Sequence, residues 1–397
     1  MKFIVFALIS FALMSFATPV VVRLSRKFYC FDVPGKRKFH FVATPRWGGI
    51  AMFITVAVVL LTSMDIDRSM VSYLVASLVL VVVGTLDDWR PLGWKIKMAA
   101  TVAAVTMVVF GGGTVVRRIG VYDSLGPVES GLWSLPFTYF GMIGVTNAIN
   151  LIDGLNGLAA GASLLGFLFI GLAAAVSGNN TLVVMSAVFI GVLAAFLPYN
   201  FPKAKTFMGD SGSLLLGFSL AVFSIRLTQD AQFSIDAMYP FLVLLLPIFD
   251  AVRVMVYRIF KLKNPFIADK SHLHHLLVRR KLSQTNTVIL LWLISLAFGV
   301  SALTMVRNTS MSFLTVAIFG VLFLGLCAEL LVRMMAQKRQ RLARPPLIVH
   351  KPIYFPASFD HAPSLPEVAM QAKDRATVTP TCDRIPVPVT RANNNFL

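Results

Sequence analysis

The sequence predicts an all-α polytopic membrane protein with about eleven transmembrane helices, and three observations predict it. Apolar stretches long enough to cross a roughly 30 Å hydrocarbon core as a helix recur along almost the whole chain. Hydrophobic residues make up 57% of the 397 and charged residues only 14%, outside the usual range of soluble domains. The basic residues are distributed unevenly between the two sets of loops that these stretches define. With eleven spans, 29 of the 36 Lys and Arg residues fall on one side, which marks that side as cytoplasmic and the N-terminus as periplasmic.

The spans are predicted at 3–22, 48–64, 70–86, 96–112, 132–149, 158–176, 182–199, 211–227, 238–257, 287–306 and 311–332. The first follows Lys2 and is too long for a signal-peptide core, with no clean small-residue cleavage site after it, so it reads as a retained span. The membrane domain therefore occupies 1–332. Residues 333–397 are basic and Pro-rich without apolar periodicity, which predicts a disordered cytoplasmic tail with no catalytic part. The net charge of +18 is essentially a property of the cytoplasmic side and is explained by orientation and by anionic lipid, without nucleic acid. Cys30, Cys327 and Cys382 have neither paired nor metal-ligand spacing and are expected to be inert.

Orientation rests on Lys and Arg alone, so the placement of unusual polar residues is an independent observation. They gather on the cytoplasmic side: Pro45-Arg46-Trp47-Gly48-Gly49, Asp87-Asp88, the run from Asn147 through Asp153-Gly154 to Gly157, Gly209-Asp210-Ser211-Gly212-Ser213, and His272-Leu273-His274-His275. A transporter would place ionisable residues near the bilayer midplane. Clustering at one interface instead points to an enzyme with cytoplasmic catalytic loops.

Two consecutive carboxylates beside hydrocarbon raise one another's pKa unless a cation neutralises them. Asp87 and Asp88 thus imply either a bound cation or a solvated helix end with Arg90, Lys95 and Lys97 as countercharge. Asp210, just before a span, is either an N-cap or a group displayed at a helix mouth. Asn150 and Asp153, three apart, would share a helical face and offer oxygen ligands that suit magnesium better than zinc. Gly154, Gly157, Gly209 and Gly212 let backbone N–H groups approach an anion. The three histidines lack a partner at zinc-ligand spacing, which favours contact with a nucleotide. Asp250 and Arg253, three apart in the ninth span, read as an intrahelical ion pair.

Together, and in this order, these motifs resemble the polyprenyl-phosphate N-acetylhexosamine-1-phosphate transferases over residues 45–277. The histidine motif is more similar to the branch using UDP-N-acetylglucosamine than to the phospho-N-acetylmuramoyl-pentapeptide transferases. The resemblance implies transfer of a sugar 1-phosphate, foremost N-acetylglucosamine 1-phosphate, from a UDP-N-acetylhexosamine to undecaprenyl phosphate in the bacterial inner membrane, with release of UMP. It implies magnesium on Asn150 and Asp210, with manganese as a substitute, and catalytic roles for Asp87, Asp88 and Asp153. Substrate binding falls to Arg46, to Lys97 at a phosphate, to Gly154 and Phe207 at uracil, and to His272, His274 and His275 at the sugar nucleotide. Asn156 stands where many members carry Asp, and its amide still hydrogen-bonds a uracil edge. A homodimer is a further expectation. The rival classes are a lipid-linked sugar transporter, which needs no sugar nucleotide, and a silent scaffold, which tolerates alanine at Asp87, Asp88 and Asp210.

Overall fold

Apolar runs bounded by capping residues fold into helices whose ends converge at one end of a bundle. The computed structural model describes residues 2–33, 42–122, 126–229, 235–260 and 272–306, all within the unit Met1–Ala336. The predicted eleventh span and the predicted tail lie outside the described residues, as do Cys327 and Cys382.

In chain order the helices are α1 (Lys2–Lys27), α2 (Gly48–Ser63), α3 (Arg68–Trp89), α4 (Trp94–Gly112), α5 (Ser134–Ile152), α6 (Leu158–Ser177), α7 (Asn180–Asn200), α8 (Gly209–Gln229), α9 (Met238–Val243), α10 (Leu245–Phe260), α11 (Leu273–Arg279) and α12 (Gln284–Leu303). Among the described residues, eight helices are long and apolar enough to cross a membrane. Helix α2, with 16 residues, is shorter, about 24 Å at 1.5 Å per residue. Local signals set several starts: Asp67 accepts the Met70 N–H at 2.6 Å, Asn179 that of Leu182 at 3.1 Å and Ser283 that of Asn286 at 3.1 Å.

The ninth predicted span is not one helix. It breaks at Leu244 into α9 and α10. Pro247 has no N–H to give to the carbonyl four residues back, and its ring crowds that carbonyl, so a continuous helix through this point is disfavoured. Two short antiparallel pairs also interrupt the all-α plan: β1 (Phe31–Asp32) with β2 (Thr44–Pro45), and β3 (Arg118–Tyr122) with β4 (Gly126–Glu129). The second is tied to the end of α8, where the Gln229 side-chain carbonyl accepts the N–H groups of Arg117 and Arg118, each at 2.8 Å.

Helix α8 is the centre of the bundle, packed against α2, α3, α5 and α6 and buried on nearly all sides. Association of helices in lipid depends on close van der Waals packing, which small residues permit. Gly84 of α3 illustrates this: a β-carbon there would lie 2.7 Å from the Asp210 carbonyl carbon, so only glycine lets the two backbones touch. Deeper in the bundle Phe167 and Phe189 stack at 4.3 Å with Phe223 edge-on to both, and the Tyr73 hydroxyl meets Ser219 at 2.7 Å. The result fixes the start of α8 against the ends of α2 and α3.

Candidate active site

Asp87 and Asp88 end α3, and neighbours on a helix project about 100° apart, so the pair divides between two tasks. Asp87 accepts the Leu92 N–H at 2.7 Å and the Lys97 ammonium at 3.1 Å. The Asp88 side chain is fully buried. It accepts the Asp210 N–H at 2.9 Å, the Ser211 N–H at 3.3 Å and the Ser211 hydroxyl at 3.1 Å, and meets an Arg46 guanidinium nitrogen at 3.5 Å. Of the countercharges the sequence suggested, Lys97 serves, whereas the Arg90 guanidinium lies over the Trp89 ring at 4.9 Å. The solvated helix end is excluded for Asp88 by its burial.

These contacts also settle the reading of Asp210. Asp88, reaching across from α3, caps α8, and Gly209 adopts φ +71° at the turn into the helix. Asp210 is thereby released from capping, and its carboxylate receives the Lys97 ammonium at 2.6 Å. One ammonium therefore lies between two carboxylates, Asp87 and Asp210, where a cation is electrostatically demanded. Arg46 completes the edge of this cluster, 3.2 Å from Asp32, with its backbone N–H on the Cys30 carbonyl. Cys30 itself is buried, and burial, then the Asp88 charge, push its thiol up to about 11, which leaves it unreactive.

Asn150, on the last turns of α5, donates its amide to Ser213 Oγ at 2.8 Å. With Trp94, Lys97, Asn147 and Arg258 it lines a cavity of about 200 Å³. Asp153 does not share its helical face as the sequence predicted. Helix α5 stops at Ile152, and Asp153 takes φ −73°, ψ 53°, which turns the chain out of the helix. The half-buried Asp153 carboxyl is pushed up to about 7 by desolvation and then by the Asp210 charge, against the pull of Arg46.

The loop that follows is held from two sides. Asn200 accepts the Gly157 N–H at 2.7 Å, and the Asn156 amide donates to the Pro202 carbonyl at 3.2 Å. Gly154 lies against the His274 ring, and a β-carbon there would collide with it. Phe207 is half-buried and its backbone pairs with the arginine motif, donating to the Pro45 carbonyl at 2.9 Å and accepting the Gly48 N–H at 3.1 Å.

The three histidines open α11. His272 Nδ1 is 2.9 Å from Asp250 Oδ2, and the Leu273 N–H reaches Asp250 Oδ1 at 2.7 Å. His274 is buried with neither ring nitrogen finding a hydrogen-bond partner among the described residues, and burial, then His275, push its pKa down to about 3, so the ring is neutral. The His275 ring lies 4.4 Å from it. The Asp250–Arg253 pair is present at 2.9 Å, but the sequence reading missed the second half of what Asp250 does. One guanidinium leaves a carboxylate with unused acceptor sites, and that was the available signal.

The structure thus brings Arg46, Asp87, Asp88, Lys97, Asn150, Asp153 and Asp210 to one end of the bundle, with Gly154 and the histidines adjoining and Asn156 and Phe207 on the flanking loops. An apolar groove of about 570 Å³ leads away from it, between α5 and α9–α10, and shares Met98, Ile143, Asn147, Leu151, Ala251 and Met255 with the cavity at Lys97. Gly141 and Gly144 stand on the groove side of α5, where an added β-carbon meets nothing within 4 Å among the described residues.

A helical membrane protein with a charged, oxygen-rich cluster at the mouth of an apolar groove is built to join a polar anionic substrate to an apolar one. Residues 70–228 match the family described as glycosyl transferase family 4. The chain is 34% identical over 330 residues to a protein of Bacillus subtilis (strain 168) named "probable undecaprenyl-phosphate N-acetylglucosaminyl 1-phosphate transferase", covering 83% of this chain and 92% of that protein. It is 32% identical over 322 residues to the undecaprenyl-phosphate alpha-N-acetylglucosaminyl 1-phosphate transferase of Thermotoga maritima, with coverage of 81% and 95%. Over 321 residues it is 33% identical to the decaprenyl-phosphate N-acetylglucosaminephosphotransferase of Mycobacterium leprae, with coverage of 72% and 80%. The chain belongs to glycosyl transferase family 4 and is an integral membrane enzyme.

Proposed function

We propose that this enzyme transfers N-acetylglucosamine 1-phosphate from UDP-N-acetylglucosamine to undecaprenyl phosphate, releasing UMP and forming the pyrophosphate-linked lipid that starts a cell-surface polysaccharide. The observation that carries the reading is the position of the Lys97, Asp87 and Asp210 cluster at the end of the apolar groove. An isoprenoid chain fits an apolar channel, and its phosphate then stops at the charged end. The relatives' names supply the sugar and the lipid. The site faces the cytoplasm of the bacterial inner membrane in this reading, since the basic loops lie on the same side as the cluster.

In the reaction a phosphate oxygen of the lipid forms a bond to the sugar-linked phosphorus, and the anhydride bond to UMP breaks. Both partners are anions, so the protein's work is neutralisation and alignment. Lys97 and Arg46 provide fixed positive charge toward phosphate oxygens. Asp87 lies beside Lys97 at the groove mouth and orients it toward the entering phosphate, while Asp153, with a carboxyl that titrates near neutrality, can hold or accept a proton. Asp88 is assigned a positioning role, because its carboxylate is committed to the start of α8. Gly154, Asn156, Phe207 and the histidines form the donor side.

The residues fit magnesium, or manganese in its place. Carboxylate and amide oxygens are the available donors, carboxylates outnumber cations in the cluster, and Lys97 already marks a cation position between Asp87 and Asp210. Asp210 and Asn150 would hold the ion, which when bound supplies charge neutralisation at the pyrophosphate.

The test is transfer of labelled sugar 1-phosphate to undecaprenyl phosphate by the purified enzyme, with and without magnesium, following UMP. Magnesium-dependent UMP and a pyrophosphate-linked lipid are expected. Product with a different UDP-N-acetylhexosamine would keep the chemistry and change the sugar; no UMP from any donor would sink the assignment.

A further inference from the structure

The carboxylate of Asp250 is buried in α10 and makes three connections at once. Oδ1 accepts the Arg253 guanidinium at 2.9 Å and the Leu273 N–H at 2.7 Å, and Oδ2 lies 2.9 Å from His272 Nδ1. Leu273 is the first residue of α11, and His272 before it offers no side-chain cap, so a residue of another helix satisfies that end. A carboxylate at Nδ1 also fixes which ring nitrogen carries the proton: Nδ1–H faces Asp250, leaving Nε2 as the atom free to accept. A different face of α10 carries Ala251 and Met255, which line both the groove and the cavity at Lys97.

We infer that Asp250 is a positioning residue for the sugar nucleotide, holding the histidine helix and the tautomer of His272 on the same helix that walls the acceptor groove. The inference rests on the proposed reaction for what α11 recognises. Arg253 balances the buried charge.

Asp250→Asn preserves shape but presents amide N–H groups toward Nδ1, which reverses the tautomer. The expected result is a KM for UDP-N-acetylglucosamine raised about tenfold or more, the size of one lost hydrogen bond to a charged group, with kcat and the KM for undecaprenyl phosphate little changed. UMP affinity measured by calorimetry should fall in parallel. The double variant D250N/H272A should be no worse than H272A, because Asp250 acts through that ring. An unchanged donor KM in D250N overturns the inference. So does restoration of the donor KM by D250N/R253M, which would reduce Asp250 to a countercharge. Hydrogen exchange across 273–279 reads the geometry without substrate: Asp250→Ala should speed exchange of α11, and unchanged protection overturns the capping role even if the reaction assignment itself fails. If the single variants do not fold, Asp250→Ser with Arg253→Met removes the buried charges together, and a wild-type donor KM in that protein overturns the inference equally.

Discussion

Asp88→Ala removes a carboxylate that is sealed from solvent and engaged on every side. Its side chain is fully buried and accepts two backbone N–H groups and one hydroxyl at 2.9 to 3.3 Å, with Arg46 at 3.5 Å. Loss of a helix cap alone costs about 1–2 kcal/mol, and hydrogen bonds to a charged acceptor are worth about 1.5–3 kcal/mol each. The carboxylate's own desolvation offsets part of that sum, which leaves a net loss of about 3–5 kcal/mol, the range for breaking a buried charged pair. A chemical effect should accompany the loss of stability, because Asp210 sits on the first turn of the helix that loses its cap. A displacement of about 1 Å there costs roughly a hundredfold in rate. The assay combines transfer rate, thermal unfolding in detergent and a magnesium titration. Asp88→Ala is expected to unfold earlier, to turn over about a hundredfold more slowly and to need more magnesium, while Asp88→Asn, which keeps one acceptor for the Asp210 N–H, falls between. An alanine variant with wild-type rate and wild-type unfolding temperature would refute the argument that α8 is fixed from α3.

Three further outcomes follow from the same geometry. Lys97→Met leaves Asp87 and Asp210 without the ammonium between them, so turnover should fall by about a hundredfold or more in the transfer assay, with magnesium dependence shifted because the carboxylates lose their competing cation. Gly144→Trp projects an indole into the apolar groove, so the KM for the lipid acceptor should rise while that for the nucleotide sugar does not, with unfolding in detergent checking that the fold is kept. Asp153 carries a folded-state carboxyl pKa raised to about 7 from 3.8, so ionising it in the folded state opposes folding: its contribution is best below about pH 4 and is lost as pH rises through about 7. Asp153→Asn should therefore stabilise the magnesium-free protein at pH 8 by roughly 1–3 kcal/mol after allowance for its partial exposure, and leave it unchanged at pH 4, as read by unfolding in detergent.

Eight of the predicted spans were legible because one property, apolar length, decides them, and the candidate site's location was legible because polar motifs at successive span ends meet at one end of a bundle. The failures have a common origin in side chains that act at a distance. Nothing within α3 reveals that Asp88 caps α8, and nothing within α10 reveals that Asp250 caps α11, since the partners are 122 and 23 residues away. The cap alternative for Asp210 stayed open for the same reason: local propensity cannot see a remote carboxylate that takes the task. The break at Leu244 did leave a signal in Pro247, overridden by the continuous hydrophobicity around it. The end of α5 at Ile152 was hidden because Asn150 and Asp153 have helical spacing, and only the Gly154 and Gly157 that follow hint that the helix has already stopped.

Helix α8 is gripped by side chains at both extremities, by Asp88 at the chemical end and by its own Gln229, which holds the β3–β4 hairpin at the other. Between them lie 21 residues, about 31 Å of rod, walled in by four other helices. The β3–β4 pair and Asp210 thus stand at opposite ends of one helix, so a ligand that displaces the pair is expected to shift Asp210 from a distance.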